Sequence, residues 1–396
     1  MKTLLFVDDE SRVLQGLQRQ LRSMRNDWDM HFADSAGKAL DFMASHPVDV
    51  IVSDMMMPAM DGAELLTEVS RRHPNTVRIV LSGHAEREAV LRLVGPAHQY
   101  LSKPCDAEEL RVAVSRAFAL RELLANEQLK QLATRIKCLP TLPALYQQLT
   151  AELRKEDSSM DRVGEIISRD IGMTAKIMQL VNSAFFGLPQ PLSNPAEAAM
   201  YLGLSTIRSL VLSLQVFSQF KEPPLADFSL DALANHSWVT AVLARRIARV
   251  HGSDTKVMDQ CFLAGLLHDV GRLVLASGLP EQYARIWNIA GQRGVLLWQA
   301  EKIEFGATHA DLGAYLLGLW GLPNPIVEAV ALQHCPSHSP SREFSPLTAV
   351  HVADVFAHEK NGVPAESISV DEDYIAQLGM TDRVAGWREV CFAEEP

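Results

Sequence analysis

Over the first hundred residues, short apolar runs rich in β-branched side chains alternate with amphipathic stretches. Leu4–Val7, Val50–Val52 and Val77–Leu81 read as strands buried on both faces. Ser11–Arg25 carries Leu14, Leu17 and Leu21 on one helical face, a second helix starts near Ser35, and a third follows Asp61-Gly62. This alternation predicts an α/β doubly wound, parallel five-stranded sheet whose ligand site lies beyond the carboxyl ends of the strands.

From Asp106 to about Arg135 the pattern becomes one long helix, with Asp106 as N-cap and Glu109 as the matching capping-box acid. Leu110, Ala113, Ala117, Leu120 and Leu124 follow heptad-like spacing, which Glu127 and Gln131 interrupt. Packing on its own domain is the default for such a helix; a homodimer seam or a signal-carrying helix is the alternative. Leu139-Pro-Thr-Leu-Pro143 breaks the chain, because two prolines do not fit a helix interior, and marks a domain boundary.

After Pro143 nearly everything reads as helix, as over Val163–Leu180 and Trp238–Val250, with breakers at Gly187–Pro195 and Gly321–Pro325. The stretch after Glu359 is more acidic and less periodic, and its role is unassigned. The expected division is an α/β domain over 1–120, a linking helix over 106–138, an all-α domain over 139–358 and a tail over 359–396.

Composition narrows the function. Hydrophobic residues at 47% and charged residues at 21% describe a soluble globular protein. A net charge of −11 opposes sequence-independent nucleic-acid binding, which needs a basic surface. Arg245, Arg246 and Arg249 read as a solvated helix face. Leu4–Val7 is too short for a signal peptide, and no stretch reads as a charge-free membrane span, so no membrane association is expected. Five scattered cysteines without a CxxC pair fit reduced thiols and a cytoplasmic location.

The chemistry-bearing residues of the first domain fall at strand ends: Asp8 and Asp9 after the first, Asp54 after the third, Ser82 after the fourth and Lys103 after the fifth. Clustered carboxylates repel one another unless a cation joins them. Mg²⁺, which prefers oxygen ligands, suits the set and makes Asp54 a usable nucleophile toward a phosphoryl group. Lys103 and the Ser82 hydroxyl would then hold the attached phosphate, whose added charge of roughly −1.5 to −2 can rearrange a loop.

The string Asp54-Met-Met-Met-Pro58-Ala-Met60-Asp61-Gly62 resembles the signature of response-regulator receiver domains, which have the flavodoxin-like fold. Asp8-Asp9, Ser82-Gly83 and Tyr100-Leu-Ser-Lys103-Pro104 resemble the family's other fixed points, in order, over roughly 1–120. The resemblance implies phosphorylation of Asp54 by a sensor histidine kinase or phosphotransfer protein. It also implies a cis Lys103-Pro104 peptide, and a Tyr100 that swings inward when Ser82 engages the phosphate.

The second half contains His236, His268-Asp269, His309, His334 and Asp354. His268-Asp269 ends an apolar helix, and with His236 and Asp354 it makes a four-ligand N/O set suited to Fe, Mn or a similar divalent ion. His309 and His334 are candidates for a second metal or a phosphate contact. His251 and His358 read as ordinary lone histidines. The segments Leu139–Pro143, Ile167–Asp170, Lys176–Ser183 and Leu202-Gly203 resemble the N-terminal half of an HDOD domain. His236-Ser237, Gly265–Gly271, His309–Leu317, Trp320–Pro323 and Gln333-His334 resemble its C-terminal half, over about 130–355 in all.

That resemblance implies an all-helical relative of the HD phosphohydrolases that serves as a signalling output. The chain departs from the HD-GYP cyclic-dinucleotide phosphodiesterases in three ways. Arg272-Leu-Val-Leu-Ala stands where GYP is expected, His334-Cys335 replaces a double histidine, and Arg272 replaces a lysine. Arginine holds a phosphate but is a poor proton donor. The first expectation is therefore a two-component response regulator whose HDOD domain binds a protein or nucleotide-messenger partner. The alternative is a phosphorylation-gated, metal-dependent phosphohydrolase acting on a cyclic dinucleotide or nucleotide.

Overall fold

The computed structural model describes residues 2–82, 96–103, 105–136, 139–155, 157–183, 188, 190–213, 218–219, 228–362 and 368–393. Its contacts divide the chain into two units, one essentially Met1–Cys138 and one containing most of the remainder.

The first unit runs β1 (Lys2–Val7), α1 (Ser11–Gln20), β2 (Trp28–Ala33), α2 (Ala36–Ser45), β3 (Val50–Asp54), α3 (Gly62–Arg72), β4 (Val77–Ser82) and β5 (Gln99–Ser102). All five strands are parallel, in the order β2-β1-β3-β4-β5. Leu4, Val50, Val52, Val77 and Ile79 are fully buried, as expected of strands covered on both faces. The direction in which successive strands are added to the sheet reverses between β1 and β3, whose Leu4 and Val50 are paired, and the crevice of such a sheet opens at that switch point.

The long helix expected over 106–135 is two helices, α4 (Ala107–Leu123) and α5 (Glu127–Arg135). Asp106 caps α4 by accepting from the Glu108 amide, and Asn126 caps α5 by accepting from the Leu129 amide. A capping asparagine competes with the helical backbone, so it starts a new helix where apolar spacing alone would continue the old one. Buried Arg78 fixes the end of α5. Its guanidinium donates to the carbonyls of Pro96 (2.5 Å), Thr76 (3.2 Å) and Thr134 (2.6 Å), and its backbone N–H donates to His98 Nδ1 (3.0 Å).

The second unit is helical: α6 (Pro143–Arg154), α7 (Met160–Ser168), α8 (Ile171–Val181), α9 (Pro195–Leu202), α10 (Leu204–Arg208), α11 (Leu230–His251), α12 (Thr255–Leu267), α13 (Val270–Gly278), α14 (Pro280–Arg293), α15 (Leu297–Phe305), α16 (His309–Leu319), α17 (Asn324–Leu332), α18 (Pro346–Lys360), α19 (Glu372–Gln377) and α20 (Thr381–Phe392). The helix expected over Val163–Leu180 is split into α7 and α8 at Asp170, which accepts from the Leu142 (2.7 Å) and Met173 (2.8 Å) amides. Helices α11, α12 and α18 pack together as the centre of this unit.

Thr255–Gly278 is long and apolar enough to cross a membrane, but 83% of that window is buried inside the protein. The tail after Glu359 is built into the fold: Tyr374, Trp387 and Cys391 are buried, and Arg388 clamps the Glu359 carboxylate with bonds of 2.6 and 2.7 Å.

Candidate functional sites

Asp54 ends β3, and Asp8 and Asp9 follow β1, so the sheet brings three acids to the switch point. One oxygen from each lies within 4.8 Å of the others. Lys103, just past β5, reaches Asp8 Oδ2 at 2.6 Å and Asp54 Oδ1 at 2.5 Å. The backbone orients the acids: the Glu10 amide donates to Asp8 (2.9 Å) and the Met56 amide to Asp54 (3.2 Å). A Cβ on Gly62 would stand 2.2 Å from the Asp54 carbonyl oxygen, so only glycine lets α3 start this close to the site. Asp61 opens that helix with a reciprocal capping box to Glu64.

Burial raises Asp54 above the ordinary carboxylate value, an effect that Lys103 partly offsets. Burial pulls Lys103 down, but its bonds to Asp54 and Asp8 outweigh this and hold it above the usual lysine value. Tyr100 is buried and its hydroxyl is raised accordingly. Ser82 closes β4, but its side chain, Gly83 and the Lys103-Pro104 peptide lie outside the described residues. An all-oxygen trio beside one lysine fits a hard divalent cation such as Mg²⁺.

In the helical unit, α11 supplies His236, the α12–α13 junction His268 and Asp269, and α18 Asp354. His236 Nε2 lies 2.9 Å from Asp354 Oδ1. His268 Nε2 lies 3.6 Å from both Asp269 Oδ2 and Asp354 Oδ1. The four-residue set therefore assembles, but as two overlapping triads that share His236: His236-His268-Asp269 and His236-Asp354-His358.

His358 is the correction. It is not a lone histidine, since its Nε2 is 3.5 Å from Asp354 and its ring is 4.4 Å from that of His236. The signal was present in the sequence: Asp354 and His358 are four apart, hence neighbours on one helix face.

His309 and His334 also meet, with their Nε2 atoms 3.0 Å apart. His309 Nε2 is 3.1 Å from Asp269 Oδ1, while its Nδ1 and backbone N–H both donate to Glu301 Oε2 at 2.7 Å. Glu301 is fully buried and carries no sequence motif that marks it.

The electrostatics follow from burial and pairing. Burial works against ionised Asp269 and Asp354, but Arg272 with His268 and His309 on the first, and His236 on the second, hold both well below the carboxylate range. His236 ends above the usual histidine value because Asp354 outweighs its burial, whereas burial leaves His268 low. Burial also opposes the charge on His309, but Glu301 and Asp269 bring it to about 10; His334 is pushed down to about 3 by burial and by His309.

His268 Nε2 is buried and has no hydrogen-bond partner among the described residues, which fits a ring nitrogen kept for a metal ion among N/O ligands. A cavity of about 420 Å³ adjoins the cluster, with Arg272, Trp287, Trp298, Gln333 and His334 in its wall.

The parallel sheet with an acid trio at its switch point defines a receiver-type domain, and the helical unit with its His/Asp cluster defines an HD-related domain. A family model of the response regulator receiver domain matches residues 4–115, and one of the HDOD domain matches residues 139–336. The HDOD match covers half of the chain, which therefore belongs to the HDOD family and carries a receiver domain ahead of it. Asp354 and His358 lie past the end of that match.

An uncharacterized protein of Treponema pallidum is 26% identical over 238 residues, 59% of this chain and 45% of that protein. The hydrogenase transcriptional regulatory protein HoxA of Cupriavidus necator is 32% identical over 161 residues, 40% of this chain and 32% of its own length. The matches thus span less than half of these curated relatives. Among solved structures, the MmoQ response regulator of Methylococcus capsulatus shares the fold at a TM-score of 0.51 and 23% identity, covering 65% of this chain and 98% of that one.

Proposed function

We propose that this chain is a two-component response regulator. A partner histidine kinase or phosphotransfer protein delivers a phosphoryl group to Asp54, and the HDOD domain acts as the output by binding a partner. The observation that carries this reading is the placement of Asp54 within 4.8 Å of Asp8 and Asp9, with Lys103 Nζ 2.5 Å from its carboxylate.

In the reaction an Asp54 oxygen attacks the phosphorus, an acyl phosphate bond forms, and the bond to the donor breaks with its electron pair leaving on the donor. Asp8 and Asp9 would hold Mg²⁺, which supplies positive charge to the phosphoryl oxygens. Lys103 already bridges two carboxylates and stays to pair with the new phosphate. Labelling the full-length protein with acetyl phosphate tests this: Asp54→Asn should take up no phosphate. Labelling equal to wild type would refute it.

A second reading is favoured by one observation, the unpartnered His268 Nε2 facing two carboxylates beside a cavity. It makes the HDOD domain a metal-dependent phosphohydrolase. His236, His268, Asp269 and Asp354 would hold a divalent metal, which supplies a polarised water for attack on a phosphate ester. Arg272 would face the negative oxygens. Elemental analysis after growth in metal-supplemented medium, with a turnover screen across nucleotides, tests it. Absence of both metal and turnover would remove this reading and leave the first intact.

A further inference from the structure

Part of the wall of the cavity beside the His/Asp cluster comes from the C-terminal segment. Ile368 and Ser369 line it together with His334, Asp354 and His358. The HDOD match ends at residue 336, so this stretch of wall is built from chain beyond it.

Hydrogen bonds tie the segment back to the cluster. The Asp371 amide donates to His351 Nε2 (2.8 Å), and His351 Nδ1 donates to the Gln333 carbonyl (2.7 Å). A carbonyl only accepts, so Nδ1 carries the hydrogen and Nε2 is left bare for the Asp371 N–H. The Gln333 side chain in turn donates to the His268 carbonyl (2.9 Å). The Asp371 carboxylate accepts from the Ser337 hydroxyl (2.6 Å) and from the Tyr374 amide (2.9 Å) at the start of α19, and Tyr374 is buried. Backbone anchored in this way forms a fixed wall.

We propose that Ile368–Asp371 is the specificity-determining wall of this site. Ile368 limits the ligand to one of mononucleotide size and shuts out a cyclic dinucleotide. The inference rests on the reading that this cavity receives the ligand or substrate of the HDOD domain. Volume supports the limit: at about 420 Å³ the cavity lies near the small end of the range of about 300–1,000 Å³ for ligand sites. A cyclic dinucleotide is two mononucleotides closed on each other and needs the room of both. Trp287 and Trp298 in the same cavity offer aromatic surface on which a base can stack. Ile368 is half-buried and apolar, so it gives a ligand contact area and no compensation for charge.

The test uses full-length protein and diethyl pyrocarbonate, which carbethoxylates unprotonated imidazole nitrogens, with the sites read by peptide mass spectrometry. His31 of the receiver, whose side chain is 33% exposed, is the internal standard. Ile368→Ala removes wall and no hydrogen bond, and should speed modification of His334 and His358 several-fold relative to His31. Asp371→Pro deletes the amide donor at a φ of −68°, which proline adopts, and should do the same. Asp371→Asn keeps the donor and the cap and should match wild type. AMP should protect both histidines in wild type and cyclic di-AMP should not, whereas cyclic di-AMP should protect them in Ile368→Ala.

Equal modification rates in wild type, Ile368→Ala and Asp371→Pro would overturn the proposal, as would protection of wild type by cyclic di-AMP. Protection by neither nucleotide in any of these proteins would instead remove the ligand-site reading itself, and the proposal with it.

Discussion

A Cβ placed on Gly271 would lie 1.9 Å from the His309 carbonyl oxygen, which shows how tightly the start of α13 is pressed on that of α16. That approach puts Asp269 beside His309. Gly271→Ala is expected to destabilise the protein by about 1–3 kcal/mol, as overpacking does, read by urea unfolding. A second residue-level prediction concerns pH. Burial raises Asp170 to about 6, with its backbone N–H donors offsetting part of the rise. The unfolded carboxyl loses its proton near 4 and the folded one near 6, so the native state holds the extra proton between them. The stabilisation is complete below about pH 4 and is lost as pH rises to about 6, on the order of 3 kcal/mol. Unfolding free energies of wild type and Asp170→Asn across this window should differ in slope there and run parallel above it.

The receiver residues were legible one by one because each stands at a strand end whose position the apolar runs already indicate. His236, His268, Asp269 and Asp354 were legible as an ordered set. Glu301 was not, since a buried acid eight residues before a histidine has no periodic or motif signature; only the turn between α15 and α16 brings it to His309.

At the scale of elements, the most informative departure is the break between α4 and α5. Heptad-like spacing is blind to a cap, and Asn126 supplies one within a run that otherwise favours helix. Asn126→Ala should cost about 0.5–2 kcal/mol. Arg78 is the larger lever, since it ties the Thr134 carbonyl of α5 to the Thr76 and Pro96 carbonyls beside the sheet. Arg78→Met should cost about 1–3 kcal/mol for each buried acceptor left unpaired, and hydrogen exchange should rise first in α5. Unchanged protection there would contradict this account. The split at Asp170 has the same origin: a side chain that satisfies backbone N–H groups ends one helix and begins the next, and apolar periodicity does not register it.

For the whole molecule, ligand linkage gives the cleanest readout. A species that binds only the folded receiver raises its stability by about 2.7 kcal/mol at a hundred times its dissociation constant. Mg²⁺ with beryllofluoride, a phosphoryl mimic, should raise the melting temperature of wild type and leave that of Asp54→Asn unmoved. An equal shift in both would place the ligand elsewhere.

The sequence alone determined the α/β-then-all-α order, the break at Leu139–Pro143, the identities of the receiver acids and the His/Asp order of the second half. These depend on local periodicity, proline and residue type, which are properties of the chain read in order. The tertiary structure decided what depends on distance between remote segments. It joined His358 to His236, gave Glu301 to His309, split the metal-ligand set into overlapping triads and anchored the acidic tail through buried Tyr374, Trp387 and Cys391. The physical reason is that packing, more than any pattern along the chain, sets which buried polar groups face one another, and buried charge is tolerated only where packing provides its partner.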